Sequence, residues 1–177
     1  KQFRVEGRER FLTQDEIQRL RDAVAKSTNK QLKYIVALLL MLGCRKSELL
    51  NAKWEHMDLD RRTWKIPLSK SGKMRHVPLS IAAVDLLKEV PRWKECPYVL
   101  PNPRTLKPLV DFHEPWHTAC RRAGLKDVRI HDLRHTFASN LVNAGHSLFV
   151  VSRALGHANI VQTARYSHLA DDTLLAA

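Results

Sequence analysis

Residues 29–43 read NKQLKYIVALLLMLG. From Tyr34 to Leu42 the segment is apolar almost all round, the pattern of a helix through the centre of a core, and Gly43 offers the left-handed residue on which such a helix stops. Its longest uninterrupted apolar run, Ile35 to Leu42, is eight residues, far short of the roughly 20 needed to span a bilayer. A buried central helix needs amphipathic partners. Residues 12–26, LTQDEIQRLRDAVAK, supply one: Thr13 as N-cap, Glu16 as its capping-box partner, and Ile17, Leu20 and Val24 along one stripe.

Downstream, residues 46–57 (KSELLNAKWEHM) continue the helical pattern. In RRTWKIPL, Trp64, Ile66 and Leu68 then alternate with polar residues as a half-buried strand requires. MRHVPLS reads as the returning strand, so residues 63–79 form an antiparallel hairpin with Lys70, Ser71, Gly72 and Lys73 at or near its tip. Another short helix is expected over residues 81–90. Residues 91–110 hold five prolines and read as an irregular connection. The last third is helical again, over residues 112–123, 131–143 and 147–155 and in a final segment through Tyr166, punctuated by Gly124, Gly145 and Gly156. The expected fold class is α+β, mainly α-helical with a small antiparallel β-sheet.

The 177 residues, 44% of them hydrophobic, suffice for one domain with a real core. Thirty Lys and Arg against 18 Asp and Glu leave a formal charge of +12 and a pI near 10.0. That balance favours a polyanionic partner, with nucleic acid first. Cys44, Cys96 and Cys120 are widely separated thiols with no CxxC pairing, and no signal or membrane-spanning pattern is present, so a reducing cytoplasm is the expected location.

Three fragments concentrate phosphate-compatible side chains near helix ends: GCRKSEL around Arg45, IHDLRHT around His131 and Arg134, and LGHANIVQTARYSH around His157 and Tyr166. Spacing of three places His131 and Arg134 on one helical face while Leu133 points to the core. Arg45 and Glu48 share that spacing, so Glu48 is expected to hold the Arg45 guanidinium in place; a plain surface ion pair is the bland alternative.

In this order, and with Lys70 in the intervening hairpin, the fragments closely resemble the tyrosine recombinase (phage integrase) family over residues 12–169. The resemblance implies the catalytic-domain fold of that family, with Arg45 as the first catalytic arginine, Lys70 as the hairpin lysine and His131 and Arg134 as the H-x-x-R pair. His157 is then the L-G-H histidine and Tyr166 the nucleophile. It further implies DNA cleavage and rejoining through a 3′-phosphotyrosyl intermediate, duplex DNA as partner, and a tetramer on two recombination sites. Residues 1–10 would be a linker remnant from a preceding DNA-binding domain and residues 11–177 the catalytic domain.

The chemistry of each residue suits those roles. Two arginines offer planar, permanently charged donors for a phosphodiester gaining negative charge. Lys70 is the expected general acid for the basic 5′ hydroxyl, and His131 the expected base for Tyr166, whose phenol is a poor nucleophile while protonated. His157 is expected to donate to a phosphate oxygen, with Asn159 capping the final helix. Bond energy held in a phosphotyrosine serves religation, so neither ATP nor a metal is expected. Tyr166 sits on a short terminal element and is expected to lie away from Arg45 and Arg134 when DNA is absent.

Two features compete with this assignment. His113-Glu114-Pro115-Trp116-His117 matches the H-E-x-x-H zinc signature; Pro115 costs about 3 kcal/mol inside a helix and belongs more naturally in a first turn. His135 lies one turn beyond His131 and is read as a packing or hydrogen-bonding residue, while Lys73 and Arg75, beside Lys70, are expected to meet DNA phosphates or solvent. The rival functions are a type IB topoisomerase, with similar chemistry, and a non-catalytic DNA-binding module of the same fold.

Overall fold

The Thr13 hydroxyl accepts from the Glu16 N–H at 3.2 Å and Glu16 Oε2 accepts from the Thr13 N–H at 3.0 Å. This reciprocal cap satisfies two donors that a helix start leaves without partners, and it begins α1 (Gln14–Ala25) where the sequence pattern places it. The structure, a computed structural model, describes residues 10–67, 74–157, 159–167 and 169. Next comes α2 (Leu32–Leu42), with Leu32, Ile35, Leu38 and Leu39 buried, between α1 and the later helix α6 (Asp132–Asn143). Each such aliphatic side chain contributes on the order of 1.5–3 kcal/mol by leaving water.

After α2 the chain forms a short α3 (Lys46–Leu50) and then departs from the expected continuous helix. The Asn51 side chain donates to the Ser47 carbonyl at 2.8 Å and closes α3. The proline-rich segment then draws the backbone into extended pairing, with Val99 N–H on the Ala52 carbonyl and Trp54 N–H on the Pro97 carbonyl, both at 2.9 Å. A 3-10 turn at Trp54–His56 leads into β1 (Met57–Asp58). This short strand pairs with β2 (Thr63–Ile66), which pairs with β3 (Arg75–Pro78), giving an antiparallel order β1-β2-β3 with Trp64 opposite Val77. The expected hairpin is there with an added edge strand; Lys70 and Lys73 lie outside the described residues.

Helices α4 (Ile81–Glu89), α5 (His113–Arg122), α6 and α7 (Leu148–Leu155) follow. The final segment is a 3-10 stretch, Ile160–Tyr166, capped by Asn159 Oδ1 accepting from the Val161 N–H at 2.9 Å. Buried side chains form two clusters. The larger joins α1 to α5 and the sheet and includes Leu133; the smaller holds Ala138, Val142, Val151, Leu155 and Tyr166. Helix α6 therefore serves both, one by its first turn and the other by its later turns.

Where the clusters meet, Gly43 ends α2 at φ +56° with its N–H on the Leu39 carbonyl, and a Cβ there would be driven into the Phe137 ring. Glycine meets both demands, the left-handed backbone and the close approach. Gly43→Ala is expected to destabilise the fold by more than about 2 kcal/mol, combining backbone strain with overpacking. A denaturant midpoint equal to that of the parent chain would refute this.

Candidate active site

The turn after Gly43 sets Arg45 in an extended conformation at the start of α3, where its N–H donates to Glu48 Oε2 at 2.8 Å. Its Nη1 donates to Glu48 Oε1 at 2.9 Å. The Glu48 side chain is only 5% exposed, so this is a buried clamp and not a surface ion pair. A second guanidinium shares it: Arg75 Nη2 donates to Glu48 Oε2 at 2.7 Å. Burial alone would raise the Glu48 pKa, but the Arg45 N–H and the two guanidiniums outweigh it and hold the carboxyl below its ordinary value.

Arg75 corrects the expectation of a residue facing DNA or solvent. From β3 its Nη1 reaches the Ala154 carbonyl at 3.2 Å, near the end of α7. Its stem also passes close over Gly156, which ends α7 at φ +67° and where a Cβ would collide with the Arg75 Cδ, Nε and Nη1. Arg75 thus ties the hairpin, the Arg45 turn and the L-G-H turn together. Nothing local to residue 75 signals this, because the contacts lie 27 and 79 residues away in the chain.

Arg134, on α6, is 5% exposed. Its Nη1 donates to the Gly43 carbonyl at 2.6 Å and its Nη2 to the Leu155 carbonyl at 2.9 Å. These carbonyls end α2 and α7, where the helix dipoles favour a cation. Neither acceptor is a carboxylate. Burial, followed by the charges of Arg45 and Arg75, pushes its pKa down to about 10, which still leaves it charged at neutral pH.

Around this cation lie the histidines. His157, in the turn after Gly156, has Nδ1 2.7 Å from the Thr163 hydroxyl. Burial and then Arg134, Arg45, Arg165 and Arg75 push its pKa down to about 4, so the ring is neutral. Fully buried Thr163 needs an acceptor for its hydroxyl proton; with Nδ1 in that role, Nε2 carries the hydrogen and can donate. His131 is the N-cap residue of α6, exposed, and held below its ordinary pKa by partial burial and by Arg134.

Tyr166 is 5% exposed. Its hydroxyl lies 2.6 Å from His135 Nδ1, giving the hydrogen bond expected of His135 a specific partner. Burial raises the phenol pKa, against the opposing charges of Arg165 and Arg134. Burial, followed by His131, Arg165 and Arg134, brings His135 down to about 4. The structure thus assembles Arg45, Glu48, Arg134 and His157 around one centre, with Tyr166 turned into the smaller cluster.

The H-E-x-x-H segment lies on α5, with Pro115 in the first turn as expected. His113 and His117 meet at 2.9 Å through their Nε2 atoms, but no group of three metal-ligating side chains gathers among the described residues. Nor is any helix among them long and apolar enough to cross a membrane. The three cysteines are free and buried.

Comparison with known proteins places these features. The phage integrase family profile matches residues 10–173. The integrase of Salmonella phage P22 is 35% identical over 93% of this chain and 45% of its own length. Among solved structures, the catalytic domain of bacteriophage HP1 integrase is 29% identical with a TM-score of 0.74, covering 94% of this chain and 92% of that one. XerH site-specific recombinase bound to its difH substrate is 25% identical with a TM-score of 0.72, covering 88% and 49%. The chain spans about half the length of the full-length relatives it matches.

Glu48→Ala leaves two guanidiniums around an empty centre. It is expected to cost about 3–5 kcal/mol of stability, the range for breaking a buried ion pair, as read by chemical denaturation. Stability is also expected to fall as pH drops from 6.5 towards 4, because His135 and His157 then bind protons in the unfolded chain and not in the folded one. Denaturation midpoints across that window check this, and His135→Asn should flatten the slope.

Proposed function

The chain belongs to the phage integrase family, and on that premise we propose that it is the catalytic part of a site-specific DNA recombinase acting through a 3′-phosphotyrosyl intermediate. The observation that carries the reading is Arg134: a buried guanidinium supported by two helix-end carbonyls, beside an Arg45 whose local carboxylate is already shared with Arg75. Such a centre has positive charge to spare. A phosphodiester supplies the missing anion, and the excess charge acts most strongly as the nonbridging oxygens become more negative in the transition state.

In the proposed reaction the Tyr166 oxygen attacks phosphorus in line. A bond forms between Oη and phosphorus, and the bond from phosphorus to the 5′ oxygen breaks. Arg45 and Arg134 hold the nonbridging oxygens, and His157 donates to one of them through Nε2. His131, neutral and exposed, takes the phenol proton, while Lys70 protonates the departing 5′ oxygen. Attack by a 5′ hydroxyl of another strand reverses these steps and restores the phosphodiester. Because the phosphotyrosine conserves the bond energy, the chain's own side chains suffice and neither ATP nor a metal enters the scheme.

The +12 charge suits a duplex partner, as XerH is bound to difH DNA. The proposed working unit is a tetramer of the full-length parent on paired sites, with residues 11–177 as its catalytic domain and residues 1–10 joining it to a DNA-binding domain. Three free buried thiols suit a reducing cytoplasm.

Incubating the full-length parent with a nicked suicide duplex carrying its own site should trap a covalent protein–DNA adduct that Tyr166→Phe abolishes. An adduct that survives the substitution, or none with the parent, would remove Tyr166 from the role. Binding of duplex by the chain alone should weaken steeply as salt rises, through counterion release. Salt-independent affinity in a titration would contradict the phosphate-centred contact.

A further inference from the structure

The hydroxyl of Tyr166 makes its hydrogen bond to a residue with no assigned part in the chemistry. His135 lies one helical turn beyond His131 on α6, is 8% exposed, and stands edge-on to the His131 ring at 5.0 Å between centroids. Its Nδ1 is 2.6 Å from the Tyr166 oxygen, in a contact that is itself buried. The Tyr166 ring packs with Ala138, Val142, Val151 and Leu155. The direction of the bond follows from the inventory of protons. Burial keeps the phenol protonated and the imidazole neutral. A buried phenol proton needs an acceptor, and among the described residues His135 Nδ1 is the one in reach. Tyr166 therefore donates, and Nε2 of His135 carries the ring hydrogen.

We propose that His135 is a positioning residue for the nucleophile, holding the Tyr166 hydroxyl stowed and protonated between α6 and the 3-10 stretch until DNA draws it out. The assignment of Tyr166 as nucleophile rests on the proposed function. The hydrogen bond does not. With Tyr166 only 5% exposed and its hydroxyl in a buried hydrogen bond, in-line attack on a duplex phosphate calls for release of this bond and of the ring, which makes the stowed arrangement a resting state. His135 in this role opposes premature attack, and His131 remains the proton acceptor once the phenol has left.

The test is nitration of the chain by tetranitromethane, which attacks accessible, ionisable phenols, with each tyrosine followed by peptide mass spectrometry. Tyr34 and Tyr98 serve as internal references. His135→Phe keeps an aromatic ring and removes the acceptor; Tyr166 should then nitrate about tenfold faster than in the parent, the scale of one lost hydrogen bond. His135→Asn offers an amide oxygen near the position of Nδ1 and should hold the rate within about twofold of the parent. Unchanged protection in His135→Phe, or equal acceleration in both variants, would overturn the proposal, since packing or general loosening would then account for the protection.

A second measurement avoids altering His135. In Tyr166→Phe the ring stays and the donor is lost, so the nitrogen NMR resonance of His135 Nδ1 should shift towards that of a free imidazole lone pair. An unmoved resonance would overturn the hydrogen bond directly. Adduct formation by the full-length parent separates the two readings. An adduct that persists in Tyr166→Phe sinks the nucleophile assignment and leaves the nitration result standing, whereas unchanged nitration sinks the positioning role and leaves the nucleophile intact.

Discussion

The site depends on how the Arg134 guanidinium is housed. It lies buried on α6, where the larger core cluster gives way to the smaller, and donates to the carbonyls that end α2 and α7. An arginine side chain cannot shed its charge at working pH, so it must be satisfied where it stands. The two carbonyls meet its donor geometry and the helix dipoles meet part of its charge, but neither brings a full negative charge. The fold thus maintains a fixed, buried cation whose direct hydrogen-bond acceptors are both neutral carbonyls.

The surrounding residues keep that arrangement from collapsing into an internal ion pair. Glu48, the nearby carboxylate, is occupied by Arg45 and Arg75 and by the Arg45 N–H. Arg75 also reaches the Ala154 carbonyl, so the strand that carries it is braced against the end of α7. Gly43 and Gly156 supply the left-handed helix ends and the close approaches that this bracing requires. Preorganisation of this kind lets charged groups act on a transition state without reorienting as it forms. Tyr166 belongs to the smaller buried cluster, where its ring lies and its hydroxyl meets His135.

Much of this was legible in the sequence, and what was not has a common cause. The capping box of Thr13 and Glu16, the apolar helix ending at Gly43, and the alternation of Trp64 and Ile66 are local patterns, and the structure follows them. The Arg45–Glu48 contact was readable from a spacing of three, and of the six residues that the family resemblance grouped (Arg45, Lys70, His131, Arg134, His157 and Tyr166), Arg45, Arg134 and His157 lie near one another in the fold. The break after Leu50 was not readable, because pairing of residues 52–54 with the distant proline-rich segment overrides a helical pattern there, and β1 then pairs with β2 in place of a further helical turn. Arg75 was misread for the same reason. The partner of His135 was invisible because 31 residues separate it from Tyr166, and neither periodicity nor spacing reports which buried hydroxyl an imidazole meets. The expectation that Tyr166 would be turned from the arginines rested on its short terminal element. The structure shows the Tyr166 hydroxyl bonded to His135 and its ring in the smaller cluster.

The most direct test is to map the point of attachment between protein and DNA. The covalent complex of the full-length parent, digested with nuclease and protease and sequenced by mass spectrometry, should yield one modified peptide, with a nucleotide joined through its 3′ phosphate to the oxygen of Tyr166. A phosphate on any other side chain, or a linkage through a 5′ phosphate, would contradict the account.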